Sequence, residues 1–341
     1  MATHKVRVGI TGFGTIGERI ADGVNEQADM EIVGVCDAAP AIPVRALIDS
    51  GQRYPLYAAN AEGKEKLENA GADVAGMHED LIEKVDIMVD AASPGIPAQN
   101  KSKYESAGIK AIFEGGESNE IADVLFNTHA NYSEALGKNF IKNLSCNTTG
   151  ICRTILTLDN AFGVKEFTSL IVRRAADPSE THKGPINAAM PAKVPSHQAE
   201  DFMIVKPEIS AVTVVVTVPI THGHINSTQA VIKESANRDD ILDAFSKEPR
   251  IKLFKLGDGF DSNSTIFDYN RDLLNPRGDM YEVPIWEETV YVKENVVYWV
   301  QMIPQEAIVI PENIDAIRAA MQTHESAEEA MRETNRYLSM L

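Results

Sequence analysis

The stretch "KVRVGITGFGTIGERIADGVNEQ", residues 5–27, decides the fold of the first part of the chain. Residues 5–10 alternate and then become apolar, glycines interrupt the run in "TGFGTIG", and the next ten residues have a helical pattern. The stretch therefore predicts a strand, a tight turn and a helix. The glycines are Gly12, Gly14 and Gly17, in the spacing G-x-G-x-x-G.

A glycine turn with this spacing, between a strand and a helix, is typical of a dinucleotide-binding site. Its first glycine permits the tight turn, the second lets the backbone approach a pyrophosphate, and the third lets helix and strand pack closely. The N-terminus of the helix attracts the phosphate charge. We expect a cofactor to be held by Gly12, Gly14, Thr15, Ile16 and Gly17; the alternative is a glycine-rich turn that binds nothing.

Asp37 follows the third glycine by twenty residues, at the end of the next apolar run, "EIVGVCD". A carboxylate there accepts hydrogen bonds from both ribose hydroxyls and repels a 2′-phosphate. The sequence therefore predicts NAD as the preferred cofactor, with NADP as the alternative. Asp37 could instead be a solvated loop acid.

Alternating strands and helices continue beyond this unit. Residues 85–92 and 109–116 are further apolar strands, and residues 62–70 and 97–107 are helical stretches between strands. This order predicts an α/β fold with a Rossmann-type, doubly wound parallel sheet. From about residue 164, long β-branched and aromatic runs predict an α+β catalytic domain with a mostly antiparallel sheet, and "ISAVTVVVTVPITHGHI" is one of these runs.

Length and charge limit the remaining possibilities. A chain of 341 residues predicts two domains, because single cores stop growing at roughly 250–300 residues. We expect a dinucleotide-binding domain at 1–144 and 312–341, where the chain turns helical again, and a catalytic domain at 145–311. The formal charge of −18 disfavours nucleic acid and membrane partners. No signal peptide or long apolar span is visible, so we expect a cytoplasmic protein.

Cys146 lies in "NLSCNTTGICR", residues 143–153, where a polar turn meets an apolar helical run. The first turn of a helix favours a thiolate, which suits nucleophilic attack on a carbonyl. Neighbouring main-chain N–H groups could hold the resulting oxyanion. The alternative is a small buried cysteine, which is our interpretation of Cys36 and Cys152. Neither a disulfide framework nor a metal site is predicted from three widely spaced cysteines.

The segment "SCNTTGICR" resembles the active-site segment "SCNTTGLCR" of the archaeal, type II glyceraldehyde-3-phosphate dehydrogenases. "GFGTIGERIAD" is similar to that family's "GYGTIGKRVAD". The resemblance continues through "KAIFEGGE", "VRRAADP", "KGPINA", "VPSH", "VPIWEE" and "PENIDAIRA" and so covers nearly the whole chain.

This resemblance implies a homotetrameric enzyme that oxidises glyceraldehyde 3-phosphate to 1,3-bisphosphoglycerate with NAD(P). Cys146 would form a thiohemiacetal with the aldehyde, hydride would pass to the nicotinamide, and inorganic phosphate would cleave the thioester. A general base is needed, which histidine suits at neutral pH. The candidates, His222 and His224, alternate along a predicted strand and so share a face. The family pattern "VPTTLMHxH" favours His224, although His222, Gly223 and Asn226 depart from it.

The same resemblance suggests the phosphate-binding residues. Arg173 or Arg174 would bind phosphate through the guanidinium fork, and because adjacent strand residues face opposite ways, only one reaches the site easily. The other is expected to be a salt-bridged structural arginine. The remaining candidates are Asn147, Thr148, Thr149 and His197. Gln198 replaces a family histidine next to His197, which alters the expected substrate-phosphate pocket.

Two more residues complete the expected cofactor site, Gly115 in "KAIFEGGE" and Asn313 in "PENIDAIRA". Asn313 resembles the asparagine that orients the nicotinamide carboxamide, and a helix-capping role is its alternative. NADP-preferring relatives tend to be basic or hydroxylic where this chain has Asp37. Here we follow the local electrostatic argument for NAD.

Two other functions compete with this interpretation. The same cysteine chemistry could act on a different aldehyde or sugar phosphate. The chain could also be a catalytically silent, nucleotide-binding protein that responds to oxidation of Cys146, since fold resemblance does not prove activity.

Overall fold

The computed structural model describes residues 5–176, 184, 187–273, 275 and 277–340. Within them the chain divides into two compact units. One contains the residues up to Leu144 and Ile310–Ser339, and the other contains Ser145–Val309 and Met340. Parts of the segments "VRRAADP" and "KGPINA" lie outside the described residues.

The first unit is built on a parallel sheet of eight described strands, in the order β4-β3-β2-β1-β5-β6-β8-β7. The strands are β1 (Val6–Thr11), β2 (Met30–Asp37), β3 (Leu56–Ala58), β4 (Val74–Met77), β5 (Ile87–Asp90), β6 (Lys110–Phe113), β7 (Val124–Phe126) and β8 (Phe140–Asn143). The intervening helices are α1 (Thr15–Asn25), α2 (Ile42–Asp49), α3 (Ala61–Asn69), α4 (His78–Ile82), α5 (Ile96–Ala107) and α6 (Thr128–Ala135). The predicted Rossmann-type sheet is confirmed.

The central strands of this sheet are apolar because helices cover both faces, as parallel sheets require. Val8 and Ile10 of β1, with Ile87 and Val89 of β5, are fully buried. Strand order reverses between β1 and β5, which places the carboxyl ends of these strands at the switch point where such sheets bind ligands.

The second unit holds a mixed sheet of eight described strands, in the order β10-β11-β9-β12-β16-β14-β13, with β15 paired to β16. The strands are β9 (Val164–Arg174), β10 (Met190–Pro191), β11 (Ser210–Val218), β12 (His224–Ile232), β13 (Ile251–Phe254), β14 (Val283–Trp286), β15 (Tyr291–Lys293) and β16 (Val296–Ile303). The helices are α7 (Cys146–Phe162), α8 (His197–Val205), α9 (Arg238–Ser246) and α10 (Asn263–Asp272). Most pairs are antiparallel, as predicted, but β9 pairs β11 and β13 pairs β14 in parallel.

One predicted strand is wrong in its extent. The run at residues 209–225 forms two strands, because the chain leaves the sheet after Val218 and re-enters it at His224. Gly223 has a φ of 69°, a left-handed conformation that glycine adopts at little cost and that breaks the alternation. His222 therefore lies in the connection and not on a strand with His224.

The C-terminal helices pack on the first unit as two elements, α11 (Ile310–Met321) and α12 (Ala327–Tyr337). Arg318 of α11 is fully buried and forms an ion pair with Asp29 at 2.7 Å, and its guanidinium also donates to Gln27 at 2.9 Å. Because the guanidinium of Arg318 is buried, losing these partners would leave an uncompensated charge in the interior, so the contacts hold α11 to the unit. None of the described helices is both long and apolar enough to cross a membrane.

Replacing Gly17 by alanine should destabilise the first unit, because a Cβ there would lie 1.9 Å from the carbonyl oxygen of Gly12. We expect the free energy of unfolding to fall by about 3 kcal/mol, the upper range for overpacking. Chemical denaturation followed by circular dichroism measures this change. Gly14→Ala is the matched control, because its Cβ would meet no atom within 4 Å. Equal unfolding midpoints for the two variants would contradict the predicted close packing of helix and strand.

Candidate active site

Cys146 is the first residue of α7, and Ser145 is its N-cap. The hydroxyl of Ser145 lies 2.9 Å from that of Thr148, so the cap residue bonds within the first turn. Cys146 is partly exposed, whereas Cys36 and Cys152 are fully buried. A sulfur at this end of a 17-residue helix lies in the positive end of the helix dipole. The sequence prediction that Cys146 begins a helix is confirmed.

His224 lies beside this sulfur, with its Nε2 at 3.6 Å from Cys146 Sγ. The Nδ2 of Asn147 is 3.9 Å from the same sulfur. His224 begins β12 and is 1% exposed. The structure thus brings His224 to the adjacent residues Cys146 and Asn147, although 78 positions separate His224 from Cys146 in the chain.

The other ring nitrogen of His224 has a fixed partner. The backbone N–H of Arg174 donates to Nδ1 at 3.0 Å, so Nδ1 carries a lone pair and not a proton. In a neutral imidazole the proton then lies on Nε2, the nitrogen that faces Cys146. His224 is therefore a hydrogen-bond donor toward the sulfur in this arrangement.

The charge state of His224 agrees with this tautomer. Burial, and then the positive charges of Arg174 and Arg173, lower the pKa of His224 well below its usual value. The imidazole is neutral at pH 7. An imidazolium would also have to replace the hydrogen bond at Nδ1 with a repulsive contact between two N–H groups.

The two candidate arginines have different environments. Arg174 is the last residue of β9 and is buried. Its guanidinium forms an ion pair with Glu306. The same group donates hydrogen bonds to the side chain of Gln305 at 2.5 Å and to the backbone carbonyl of Thr221 at 3.0 Å. Arg173 is exposed. Arg174 is the salt-bridged structural arginine that the sequence expected for one of the two, and Arg173 is the one open to a ligand.

The other predicted phosphate ligands differ in access. Asn147, Thr148 and Thr149, in the first turn of α7, are each at most 3% exposed, so the surrounding protein covers all three. His197 begins α8 and is exposed. Gln198 is buried and bonds Ser196 at 2.6 Å, so its side chain belongs to the core and not to an open pocket.

His222, the alternative histidine, faces elsewhere. Its ring packs edge-on against Phe267, and its Nδ1 is 2.9 Å from the hydroxyl of Thr221. Asn226 lies next to His224 on the inner face of β12 and is fully buried, and both its side-chain polar atoms are without a hydrogen-bond partner among the described residues. Sequence reasoning noted Asn226 only as a departure from the family.

The glycine turn of the first unit fits a dinucleotide. A Cβ at Gly12 would lie 2.6 Å from Ala92, whereas Gly14 faces open space, so a phosphate can approach the backbone there. No side chain caps α1, which leaves the first N–H groups, including those of Thr15 and Ile16, directed at such a phosphate. A nicotinamide dinucleotide would be held here by Gly12, Gly14, Thr15, Ile16 and Gly17.

Asp37 forms the edge of this turn. Its Oδ2 accepts from the N–H of Phe13 at 2.8 Å, and its Oδ1 accepts from the N–H groups of Ala38 and Ala39. Burial raises the pKa of Asp37, against the opposite effect of these three bonds. The carboxylate therefore fixes the glycine turn to the end of β2, a contact that the spacing alone does not reveal.

Asn313 and Gly115 lie at different positions around the end of β6. Asn313 is fully buried within α11, which excludes the capping role, and its Nδ2 donates to Glu114 at 2.9 Å. Gly115 is exposed and follows Glu114 directly. Sequence reasoning did not single out Glu114, although an acid between an apolar strand and two glycines is a recognisable signal for the carboxyl end of a parallel strand.

Solved structures share this fold. The crystal structure of aspartate semialdehyde dehydrogenase II from Vibrio cholerae matches with a TM-score of 0.66 and 14% identity, over 93% of this chain and 98% of that chain. At this identity the likeness shows the class of fold, a Rossmann-type unit together with a second unit that holds a mixed sheet.

Sequence comparisons are more specific. The family "Glyceraldehyde 3-phosphate dehydrogenase, C-terminal domain" matches residues 145–289. Glyceraldehyde-3-phosphate dehydrogenases from Archaeoglobus fulgidus and Methanothermus fervidus are 43% and 39% identical, covering 98% of this chain and 98% and 99% of theirs. The chain belongs to the glyceraldehyde-3-phosphate dehydrogenase family. It is therefore an oxidoreductase, and the family implies a nicotinamide cofactor.

We expect one thiol per chain to react rapidly with iodoacetamide, because Cys146 is the partly exposed cysteine and the other two are buried. The reaction should slow at least about tenfold at pH 7 in His224→Ala, and its pH profile should shift upward, because a donor to the thiolate is lost. Quenched-flow alkylation followed by mass spectrometry measures both effects.

Cys152→Ser is the matched control for this experiment and should alkylate like the wild type. An unchanged pH profile in His224→Ala would contradict the contact between Nε2 and the sulfur.

Proposed function

We propose that the chain catalyses the phosphorylating oxidation of glyceraldehyde 3-phosphate to 1,3-bisphosphoglycerate, with NAD as the preferred cofactor. The observation that carries the proposal is the pairing of Cys146 Sγ with His224 Nε2 at the start of α7. The names of the relatives support this reaction. The first unit is the dinucleotide-binding domain, and the second is the catalytic domain.

In the first step, the thiolate of Cys146 attacks the aldehyde carbon and forms a C–S bond, while the carbonyl electrons move to oxygen. The proton of the thiol has left to solvent before this step. His224 Nε2–H and the Nδ2 of Asn147, both near the sulfur, are the side-chain donors available to the alkoxide. Each donor stabilises charge that is absent from the free aldehyde.

Collapse of this alkoxide to a thioester releases a hydride, and a nicotinamide dinucleotide held by the glycine turn of the first unit would supply the acceptor. An alkoxide needs no base at this stage, because its oxygen carries no proton. We therefore assign His224 the role of donor in place of the general base expected from the sequence. A base at Nε2 would require a proton on Nδ1, which faces the N–H of Arg174.

Inorganic phosphate then attacks the thioester carbon, the C–S bond breaks, and the thiolate and the acyl phosphate are formed. Arg173 and His197 are exposed and are the side chains we assign to phosphate binding. Arg174 acts on the site through its backbone, since its guanidinium is paired with Glu306. We give Thr148 and Thr149 a structural role in the first turn of α7, because both are buried.

NAD preference rests on Asp37. Its carboxylate is ordered by three backbone N–H groups at the end of β2, where the adenosine ribose binds in this type of fold. A fixed negative charge at this place repels a 2′-phosphate. We also propose a homotetramer in the cytoplasm, as the resemblance implies.

A rapid-mixing experiment tests the reaction. Enzyme and NAD mixed with glyceraldehyde 3-phosphate should give a burst of about one NADH per active site without phosphate, as expected for an accumulating acyl-enzyme. Steady turnover should appear only when inorganic phosphate is added. Cys146→Ser should abolish both, while Cys152→Ser serves as the control and retains both.

Other outcomes identify the competing functions. Bound NAD without any NADH would reject this aldehyde, and the same burst with another aldehyde would reassign the substrate. NAD binding without a burst from any aldehyde would favour the silent, redox-responsive protein.

Replacing Asp37 by serine should lower the ratio of kcat/KM for NAD to that for NADP by about tenfold or more, since it removes the charge that repels the 2′-phosphate. Steady-state kinetics with both cofactors measures the ratio. Glu31→Gln, an exposed acid at the other end of β2, is the control for a general change in charge. An unchanged ratio in Asp37→Ser would exclude Asp37 as the selectivity residue.

A further inference from the structure

Glu114 connects three elements of the first unit. It directly follows β6, and its Oε2 accepts from the Nδ2 of Asn143 at 3.2 Å and from the Nδ2 of Asn313 at 2.9 Å. Asn143 ends β8, and Asn313 belongs to α11. The carboxylate therefore joins two side-chain amides at the carboxyl end of the parallel sheet, the edge where such sheets bind ligands.

A carboxylate dictates how these amides are turned. An ionised carboxylate has only acceptor oxygens, so it binds the NH₂ end of each amide. The oxygen ends of Asn143 and Asn313 are then directed away from Glu114. Rotating either amide by half a turn would bring two acceptors together, which makes the observed orientation the stable one.

The amide oxygen of Asn143 is independent evidence that a ligand donates a hydrogen bond at this place. Its side chain is 2% exposed, and its Oδ1 has no hydrogen-bond partner among the described residues. A buried acceptor without a partner is disfavoured, and native proteins rarely keep one without a functional reason. A ligand that carries an NH₂ group would satisfy it.

We propose that Glu114 is a positioning residue, which turns Asn143 and Asn313 so that their amide oxygens accept from the carboxamide NH₂ of the nicotinamide. The inference rests on the proposed function, since it requires a nicotinamide dinucleotide on this unit. A carboxamide NH₂ has two donor hydrogens, one for each amide oxygen. Asn143 is thereby a cofactor-contacting residue that the sequence did not indicate.

The orientation of both amides depends on whether Glu114 is ionised, and this depends on pH. Burial among the amides raises the pKa of Glu114 to about 7, while Asn313, Asn143 and Lys142 oppose this rise and Glu312 adds to it. Although the residue as a whole is only half-buried, its carboxylate end lies against buried amides. Above pH 7 the carboxylate fixes both amides; below pH 7 the protonated carboxyl gains a donor and no longer distinguishes their two ends.

Equilibrium titrations test the proposal without measuring turnover. The dissociation constants of NAD, of its 3-acetylpyridine analogue, which lacks the NH₂, and of ADP-ribose, which lacks the ring, are measured by calorimetry. Wild type should bind NAD about threefold to tenfold more tightly than the analogue at pH 8, the effect of about one neutral hydrogen bond. Glu114→Gln should bring this ratio close to one and leave ADP-ribose binding unchanged.

Two controls make the result specific. Glu120→Gln removes the same charge at an exposed position of the same unit and should keep the wild-type ratio. Wild type alone should lose the preference between pH 8 and pH 6, a measurement that does not depend on any variant folding.

A Glu114→Gln protein that retains the wild-type ratio, or a wild-type ratio independent of pH, would overturn the positioning role while leaving the proposed function intact. If wild type binds none of the three ligands, the proposed function fails and this inference fails with it.

Discussion

The backbone N–H of Arg174 fixes the chemistry of the candidate site, because it decides which nitrogen of His224 carries the proton. That N–H lies at the end of β9, and the guanidinium of the same residue is anchored by Glu306, Gln305 and the carbonyl of Thr221. The strand end therefore cannot shift without breaking a buried ion pair. An imidazole held at Nδ1 can only donate from Nε2, and Cys146 lies there.

Local patterns predicted those parts of the molecule that local chemistry determines. The glycine spacing, the alternation of strands and helices, and the helix start at Cys146 each follow from a few neighbouring residues, and the structure has all three. His224 was favoured by resemblance, and its distance from the sulfur could not be read from sequence. The single strand through His222 was a wrong prediction, since the positive φ of Gly223 has no signature in hydrophobic alternation.

Long-range pairing explains the rest of what sequence reasoning could not supply. The sequence does not distinguish Arg173 from Arg174, because both are arginines in the same segment. Only the ion pair with Glu306 identifies Arg174 as the structural arginine. Likewise, Glu114 acquires significance only when β8 and α11 bring Asn143 and Asn313 to it. The contacts Arg174–Glu306 and Glu114–Asn313 join residues more than a hundred positions apart, and Glu114–Asn143 joins residues 29 positions apart. No short window of sequence contains these pairs.

In each unit a fixed hydrogen-bonding group determines which end of a neighbouring side chain donates and which end accepts. This group is the backbone N–H of Arg174 in the second unit and the carboxylate of Glu114 in the first. Imidazoles and amides can each present a donor or an acceptor at the same place. In the second unit burial is the main reason why His224 stays neutral, and the positive charges of Arg174 and Arg173 act in the same direction. A positive field that opposes an imidazolium favours a thiolate and then an alkoxide at the adjacent atoms, as does the N-terminus of α7. These surroundings give the two side chains different roles. Cys146 carries the negative charge, and His224 stabilises that charge as a neutral hydrogen-bond donor.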